Sequence, residues 1–236
     1  MSSKGRQQFK EYTEAFAVAL IAALILRMLV IQAFRIPTGS MKDTLLIGDF
    51  LLVNKFVYGA ATPDRIPWTD IKLPSLQMPA VHKPKRGEII VFKYPLDEKL
   101  DYIKRCIGVP GDTLEMRQGV VYVNGAPEGE ITFLERSFDE SEGRYINYYR
   151  VKTANAKEYT IRRYEGFAYD FGPVVVPEKH LFMMGDNRDN SQDSRYWGFL
   201  PMKNIRGQAL VIYFSLERNA SFFRHVRWSR IFSIIR

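Results

Sequence analysis

The chain has 236 residues, a hydrophobic fraction of 46% and a formal net charge of +8. This length allows one or two domains, and the hydrophobic content excludes a mainly disordered chain. The positive charge indicates an anionic partner, either nucleic acid or an anionic bilayer. A lone cysteine, Cys106, excludes an internal disulfide, and one Cys with three His does not give the spacing of a zinc site, so we expect no metal or other cofactor.

An apolar run at residues 16–34 contains Arg27 and Gln32 as its only strongly polar members. Eleven of its residues are Leu, Ile, Val or Phe, which favour membrane insertion by about 3 to 7 kcal/mol, whereas a central Arg costs about 2.5 to 3.5 kcal/mol. The alternatives are a cleavable signal peptide and a buried core helix. No small-residue cleavage site follows the run, and helices apolar on every face are rarer in soluble proteins. We therefore predict one transmembrane helix at residues 15–34.

Three basic residues precede this run: Lys4, Arg6 and Lys10. Because cytoplasmic flanks are enriched in Lys and Arg, residues 1–14 are expected in the cytoplasm. The prediction is a single-pass protein of the inner or plasma membrane whose remaining residues are extracytoplasmic.

The sequence beyond residue 35 is typical of antiparallel β structure. Short runs rich in β-formers occur at 50–53, 88–92 and 210–215, and residues 113–123 suggest two strands around a turn at Gln118-Gly119, with another turn at Asn124-Gly125. The predicted fold is mainly β, with an antiparallel domain at residues 35–125 and 173–220.

Three further segments differ in composition. Residues 126–172 are rich in Tyr, Arg and Glu, which suggests a smaller inserted β subdomain. Residues 60–86 contain five prolines, which suits an extended ribbon or loop. Residues 221–236 mix four Arg with aromatic and aliphatic residues. This basic, aromatic tail indicates either contact with the membrane interface or a packed terminal strand or helix.

Three polar motifs stand out: IPTGSM at 36–41, YIKRCIGVPGD at 102–112 and GDNRDNSQDSR at 185–195. Taken singly, each has an ordinary explanation, as a turn serine, a solvated lysine or polar turn residues. The third motif also invites a calcium-loop interpretation. If Asp186 is the first position of such a loop, the sixth and twelfth positions are Ser191 and Trp197, where a calcium loop needs Gly and Glu. Calcium binding is therefore not expected.

Taken together and in this order, the motifs closely resemble those of type I signal peptidase, the bacterial leader peptidase family. The resemblance covers nearly the whole chain and implies a Ser-Lys serine protease that removes signal peptides by cutting after small residues. It makes Ser40 the nucleophile and Lys104 the general base. It also implies that Ser191 orients Lys104 by a hydrogen bond and that Thr38 helps form the oxyanion hole with the Ser40 N–H.

Elementary chemistry is consistent with these roles. A serine hydroxyl needs a base, and none of the three His lies in the motifs, which leaves Lys104. Only the neutral amine can accept a proton, so burial must lower the lysine pKa from about 10.4 toward about 8, which corresponds to about 3 kcal/mol. We therefore expect no carboxylate within pairing distance of Lys104.

Supporting residues can be assigned in the same way. Small apolar pockets near Ser40 should select small side chains, and the residues expected to line them are Ile36, Met41, Leu45, Tyr102 and Ile103. Two structural ion pairs are expected, Asp186 with Arg188 and Asp193 with Arg195. The family commonly has proline three residues after the serine, but this chain has Asp43, which alters the local turn.

The resemblance implies preprotein substrates and a bilayer as partners. We expect a monomer. We expect no nucleic-acid binding by the basic C-terminal tail if the residues after the anchor are extracytoplasmic. Two alternatives remain. One is a self-cleaving Ser-Lys peptidase related to the repressor-type regulators, disfavoured by the anchor and by the lack of a DNA-binding module. The other is a non-catalytic, membrane-tethered β domain that binds exported partners.

Overall fold

The computed structural model describes residues 3–59, 78–167, 169–217 and 225–235. Most of the predicted proline-rich ribbon at 60–86 and the first part of the tail at 221–236 lie outside these residues. The described chain begins with helix α1, Ser3–Leu29. A second, short helix, α2, is Ser194–Trp197.

Strand β1 begins where α1 ends, and this corrects the predicted helix at 15–34. Residues Ile31–Arg35 are a strand, and they pair antiparallel with the strand that follows, from Ile31 opposite Asn54 to Arg35 opposite Phe50. Val30 and Ile31 are β-branched, so the end of the apolar run favours a strand once a partner is available. No helix in the described part of the chain is both long enough and apolar enough for a membrane crossing.

The rest of the described chain is mainly antiparallel β structure, which confirms the predicted fold class at this level. The predicted hairpin with its turn at Gln118-Gly119 and the turn at Asn124-Gly125 are also confirmed. The strands are β1 Ile31–Arg35, β2 Asp49–Asn54, β3 Ile89–Tyr94, β4 Asp97–Gly108, β5 Thr113–Arg117, β6 Val120–Val123, β7 Ala126–Pro127, β8 Glu130–Asp139, β9 Arg144–Lys152, β10 Glu158–Tyr164, β11 Phe171–Val175, β12 His180–Met184, β13 Leu200–Pro201, β14 Ile205–Ser215 and β15 Ser233–Ile234. Single 3₁₀ turns occur at Phe56–Tyr58, Met202–Asn204 and Trp228–Arg230.

The main sheet has the strand order β1-β2-β14-β3-β4-β12-β13, with β15 added on β14. Strand β4 lies between β3 and β12, and its last six residues, 103–108, are all buried. A polar side chain in this half of β4 is therefore removed from water on both faces. Lys104 stands opposite Ile90, and Arg105 stands between Ile89 and Met184.

Two smaller sheets complete the fold. Strands β8, β9 and β10 form a three-stranded sheet in the order β10-β9-β8, here called the insert sheet. A four-stranded sheet has the order β11-β5-β6-β7. The insert sheet falls inside the predicted subdomain at 126–172. Strands β7 and β11, at the edges of that range, instead pair with the hairpin of β5 and β6.

The C-terminal segment packs on the main sheet. Strand β15 pairs with β14, and the Ile235 N–H donates to the Leu210 carbonyl at 2.8 Å. This matches the alternative of a packed terminal strand for residues 225–235. Two aromatic side chains of the segment nonetheless face solvent, Trp228 with 74% and Phe232 with 77% of the residue exposed.

Candidate active site

Ser40 lies in a tight series of turns between β1 and β2. The Asn187 N–H donates to the Ser40 carbonyl at 3.1 Å, and the Asn187 side-chain amide donates to the Gly39 carbonyl at 3.1 Å. The third sequence motif thus binds the carbonyls of the peptide bonds before and after Ser40. Ser40 itself is only 9% exposed.

Lys104, in the buried half of β4, reaches Ser40. Its Nζ is 2.7 Å from Ser40 Oγ and also donates to the Ile103 carbonyl at 3.0 Å. Lys104 is 3% exposed, and its Nζ lies 5.2 Å from the centre of the Tyr102 ring. The structure therefore brings together the two residues that sequence reasoning placed at the centre of the chemistry.

Burial determines the electrostatics of this lysine. It lowers the pKa of Lys104 from 10.5 to about 8, and the more distant charges of Asp193 and Asp186 only partly oppose it. Among the described residues, no carboxylate forms an ion pair with Lys104. A substantial neutral fraction at pH 7 to 8 allows the amine to accept a proton, which is what a general base requires.

The predicted hydrogen bond from Ser191 to Lys104 is not made. Ser191 is 7% exposed, and its Oγ has no hydrogen-bond partner within the described residues. The hydroxyl packs against Gly185 instead: a β-carbon at Gly185 would overlap both the Ser191 hydroxyl and the Ser40 carbonyl oxygen. Ser191 thus packs against Gly185, next to the Ser40 carbonyl, and does not hydrogen-bond to Lys104. Thr38 lines the cavity beside Ser40.

One of the two predicted ion pairs is present. Asp193 accepts from Arg195 through Oδ1 at 2.8 Å and Oδ2 at 2.7 Å. Asp193 also accepts from the Gly185 N–H at 3.0 Å, so the pair fixes the third motif beside Ser40.

The predicted pair of Asp186 with Arg188 is wrong. Asp186 is bound by Arg105 at 2.8 and 2.7 Å, and it accepts from Thr44 Oγ1 at 2.6 Å. Arg188 is bound instead by Glu128 at 2.5 and 2.8 Å. The reason is the register of β12 on β4, which sets Met184 opposite Arg105 and so brings Asp186 close to that guanidinium.

A cavity of about 240 Å³ opens beside the Ser40–Lys104 pair. Tyr102 and Ile103 line it, as predicted. Three other wall residues, Asp101, Asn190 and Gln192, were not predicted from sequence. Gln192 Oε1 accepts a weak hydrogen bond of 3.4 Å from the Tyr102 hydroxyl, across the cavity wall.

Three predicted pocket residues belong to the hydrophobic core and do not line this cavity. Met41 and Leu45 are fully buried, and Ile36 is 3% exposed. All three pack in one cluster with Ile103 of β4. These three side chains therefore anchor the Ser40 loop to the hydrophobic core.

Sequence reasoning also missed two residues of the site, Arg105 and Asn187. Arg105 directly follows Lys104, and its 1% exposure makes it one of the largest fully buried side chains. Adjacency to the predicted base was the available signal for Arg105. Asn187 lies within the third motif, but nothing in its type distinguishes it from Asn190.

Comparisons with known proteins agree with this geometry. The family model described as "Signal peptidase, peptidase S26" matches residues 9–214. Signal peptidase I of Pseudomonas aeruginosa is 39% identical over 221 residues, covering 87% of this chain and 72% of that protein. Signal peptidase I of Aquifex aeolicus is 35% identical over 240 residues, covering 87% of this chain and 84% of that protein.

A solved structure of signal peptidase I from Enterococcus faecalis is 30% identical, covering 55% of this chain and 98% of that one. Its TM-score of 0.33 is too low to support a comparison of folds. Membership follows from the family model, which matches most of the chain, and from the two relatives. The chain therefore belongs to the signal peptidase family, peptidase S26, and is a serine endopeptidase.

Proposed function

We propose that this protein removes signal peptides from exported preproteins, with Ser40 as nucleophile and Lys104 as general base. The observation that carries the proposal is the 2.7 Å contact between Ser40 Oγ and Lys104 Nζ. It is supported by the burial that lowers the pKa of Lys104 to about 8. A contact of this length suits direct proton transfer.

The chemistry follows from this contact. Neutral Lys104 takes the Ser40 proton as Oγ attacks the carbonyl carbon of the scissile bond, which gives a tetrahedral oxyanion and a lysine ammonium. The ammonium then donates its proton to the departing amine, and the acyl group remains on Ser40. Lys104 next takes a proton from a water molecule whose oxygen attacks the ester carbonyl, and it returns that proton to Ser40 Oγ as the ester bond breaks, which releases the acid and restores both residues.

The oxyanion needs hydrogen-bond donors aimed at the position where charge develops. We propose the Thr38 hydroxyl and the Ser40 N–H for this role, because Thr38 and Ser40 line the same cavity. Loss of one such donor costs about 10²- to 10³-fold in kcat. Thr38→Ser keeps the hydroxyl and Thr38→Val removes it at nearly constant volume, so the two variants separate a donor from a packing role.

Specificity for small side chains follows from the size of the cavity. Its volume of about 240 Å³ is shared between substrate backbone and side chains, and Tyr102 and Ile103 form part of its wall. Alanine or glycine before the cut fits such a space, whereas larger side chains meet the wall. Asn190 and Gln192 supply polar contacts to the substrate backbone in this proposal.

The membrane is the proposed second partner. Residues 15–29 of α1 carry most of the apolar run that the hydropathy rules assign to a bilayer. The tail is proposed to touch the interface with its exposed aromatic side chains, Trp228 and Phe232. Two arginines of the tail, Arg227 and Arg230, turn inward and pair with buried Asp49 at 3.7 and 2.6 Å, so they hold the tail on the fold.

A cleavage assay on a preprotein, with the full chain in detergent or lipid vesicles and mass spectrometry of the new N-terminus, tests the function. Ser40→Ala and Lys104→Met should each lower cleavage by at least about 10³-fold. The matched controls are Ser137→Ala and Lys83→Met, at exposed positions. Normal cleavage by either active-site variant would contradict the proposal. Cleavage of the chain by itself would favour the self-cleaving peptidase, and inactivity of the wild type would favour the binding domain.

A further inference from the structure

The loop that carries Ser40 is joined to the insert sheet by ionic contacts. Lys42, two residues after the nucleophile, donates to Asp139 Oδ2 at 2.6 Å and to Ser141 Oγ at 2.9 Å. Asp139 ends β8, and Ser141 lies in the turn that leads to β9. The same Asp139 oxygen accepts from Arg162 Nη2 of β10 at 2.5 Å. One carboxylate therefore connects the loop with two strands of the insert sheet.

Arg162 is an unusual anchor because it is buried without full pairing. The residue is 1% exposed, and its Nε and Nη1 have no hydrogen-bond partner in the described residues. Asp43, the residue after Lys42, places Oδ2 3.7 Å from that Nε. A buried guanidinium with open donors depends on neighbouring carboxylates to remain in place. The Asp43 carboxylate lies beside Nε, the Asp139 carboxylate accepts from Nη2, and Glu142 lies 3.5 Å from Nη2.

Asp139 is charged at neutral pH, whereas burial raises the pKa of Asp43 against the opposing charges of Arg162 and Lys42. Burial alone would raise the pKa of Asp139, but hydrogen bonds from Lys42, Ser141 and Arg162 hold it well below its usual range. Its side chain is only 11% exposed, and that of Lys42 is 26% exposed. Ion pairs shielded to this extent are screened less by salt than pairs on an open surface.

Arg162 also reaches Ser40 through the backbone. Its N–H donates to the Asp186 carbonyl at 3.0 Å, and its carbonyl accepts from the Arg188 N–H at 3.0 Å. Asn187, which lies between those two residues, is the one whose N–H donates to the Ser40 carbonyl. The Arg162 side chain therefore acts on Lys42 through Asp139 and on Asp43 directly, whereas its backbone acts on the Ser40 carbonyl through Asn187.

The backbone at Asp43 has a conformation that does not suit the proline commonly found there in the family. Asp43 has φ of +78°, in the left-handed region that Asp and Asn tolerate better than most residues. Proline is restricted to φ near −65° and cannot adopt this conformation. The loop thus follows a path that depends on Asp43, and the carboxylate at this position faces Arg162.

We propose that the insert sheet positions the nucleophile through a network of Lys42, Asp139, Arg162 and Asp43, a role that rests on the proposed function of Ser40. The four residues are positioning residues, since none of them contacts the reacting atoms. The network holds the two residues after Ser40, while Asn187 holds the carbonyls of Gly39 and Ser40. Loss of the contacts that hold Lys42 and Asp43 lets Ser40 Oγ move away from Lys104 Nζ. Displacements of about 1 Å can reduce a rate by about 10²-fold.

The test uses Asp139→Asn, Lys42→Met and their combination, in the full chain in detergent, with Asp170→Asn as an exposed control. Each single variant should lower kcat by about tenfold with KM changed by less than about twofold. The combination should be no worse than the poorer single variant, because both remove the same connection. Unchanged kcat in both single variants, or effects that multiply in the combination, would overturn the proposal.

Hydrogen exchange provides a second measurement that needs no substrate. The Lys42 N–H donates to the Gly39 carbonyl at 3.0 Å and the Leu45 N–H to the Met41 carbonyl at 2.7 Å, so both amides report on the loop. Their exchange should accelerate in the single variants and stay unchanged in Asp170→Asn. Accelerated exchange with unchanged kcat would contradict the positioning role, because the network would then stabilise the loop without affecting catalysis. If the wild type cleaves no preprotein, the proposed function fails. Exchange of the two loop amides that is unchanged in the single variants would separately contradict the proposed role of the network in holding the loop.

One further variant guards against misfolding of Asp139→Asn. Asp43→Asn keeps a residue that tolerates the left-handed conformation, and the Asp43 side chain is 32% exposed, so the fold should survive. The same fall in kcat and faster loop exchange are expected there. A folded Asp43→Asn protein with wild-type kcat and exchange would contradict the role of Asp43.

Discussion

Replacement of Lys104 by methionine tests whether burial of this amine destabilises the fold, as its lowered pKa requires. Methionine has a similar length and no charge, so it removes the desolvation cost while it fills much of the same space. The folded pKa of Lys104 is about 8 and the ordinary value is 10.5, a difference that corresponds to about 3 kcal/mol. Wild-type protein bears this penalty in full below pH 8, where the lysine is protonated in both states and the folded protein holds the charge in a buried site.

The sign of the pH dependence follows from proton binding. Between pH 8 and 10.5 the unfolded chain keeps a proton that the folded chain has released, so the stability of the wild type rises with pH in this window. From pH 7 to pH 10 the wild type should gain between about 2 and 3 kcal/mol relative to Lys104→Met. At pH 7 the variant should be the more stable protein, apart from the two hydrogen bonds that it loses.

Urea unfolding in nonionic detergent, followed by tryptophan fluorescence at pH 7, 8.5 and 10, measures this difference. Lys83→Met, at an exposed position, corrects for the general effect of removing a lysine. A stability difference between wild type and Lys104→Met that is independent of pH would refute the reasoning. It would mean that Lys104 has the same proton affinity in both states.

Three further substitutions test other parts of the site. Gly185→Ala places a β-carbon against the Ser191 hydroxyl and the Ser40 carbonyl, and kcat should fall by about 10²-fold while circular dichroism shows a folded protein. Asp186→Asn leaves Arg105 buried without its counter-charge and should lower the free energy of unfolding by about 3 to 5 kcal/mol in urea titrations, more than Asp170→Asn. Leu45→Ala should cost about 2 to 5 kcal/mol of stability but leave the preference for small residues at the cleavage site unchanged, since Leu45 is core and not pocket; a changed preference would contradict that placement.

The residues proposed to carry the chemistry could be named from the sequence because each lies in a short, local motif. Ser40, Lys104 and the pair of Asp193 with Arg195 depend on neighbours that are close in sequence or on a resemblance that covers whole motifs. The strands around Gln118-Gly119 were predictable for the same reason, since turn chemistry is local.

What could not be predicted depends on tertiary register. Asp186 pairs with Arg105 because β12 lies beside β4, and a sequence offers Arg188 as an equally plausible partner. Apolar character alone does not show which way a side chain faces, so Met41 and Leu45 were assigned to the pocket although both are core. The end of α1 was missed because strand β1 continues the same apolar run, and only its pairing with β2 reveals the change.

The rate at which Ser40 is acylated, measured against pH, tests the central claim most directly. The full chain in detergent is treated with an acylating β-lactam-type probe from pH 6 to 10, and the adduct is located by mass spectrometry. The account predicts an adduct on Ser40 whose rate of formation rises with pH, levels off above an apparent pKa near 8, and is lost in Lys104→Met. An adduct on another residue, a rate without this titration, or normal acylation of Lys104→Met would contradict it.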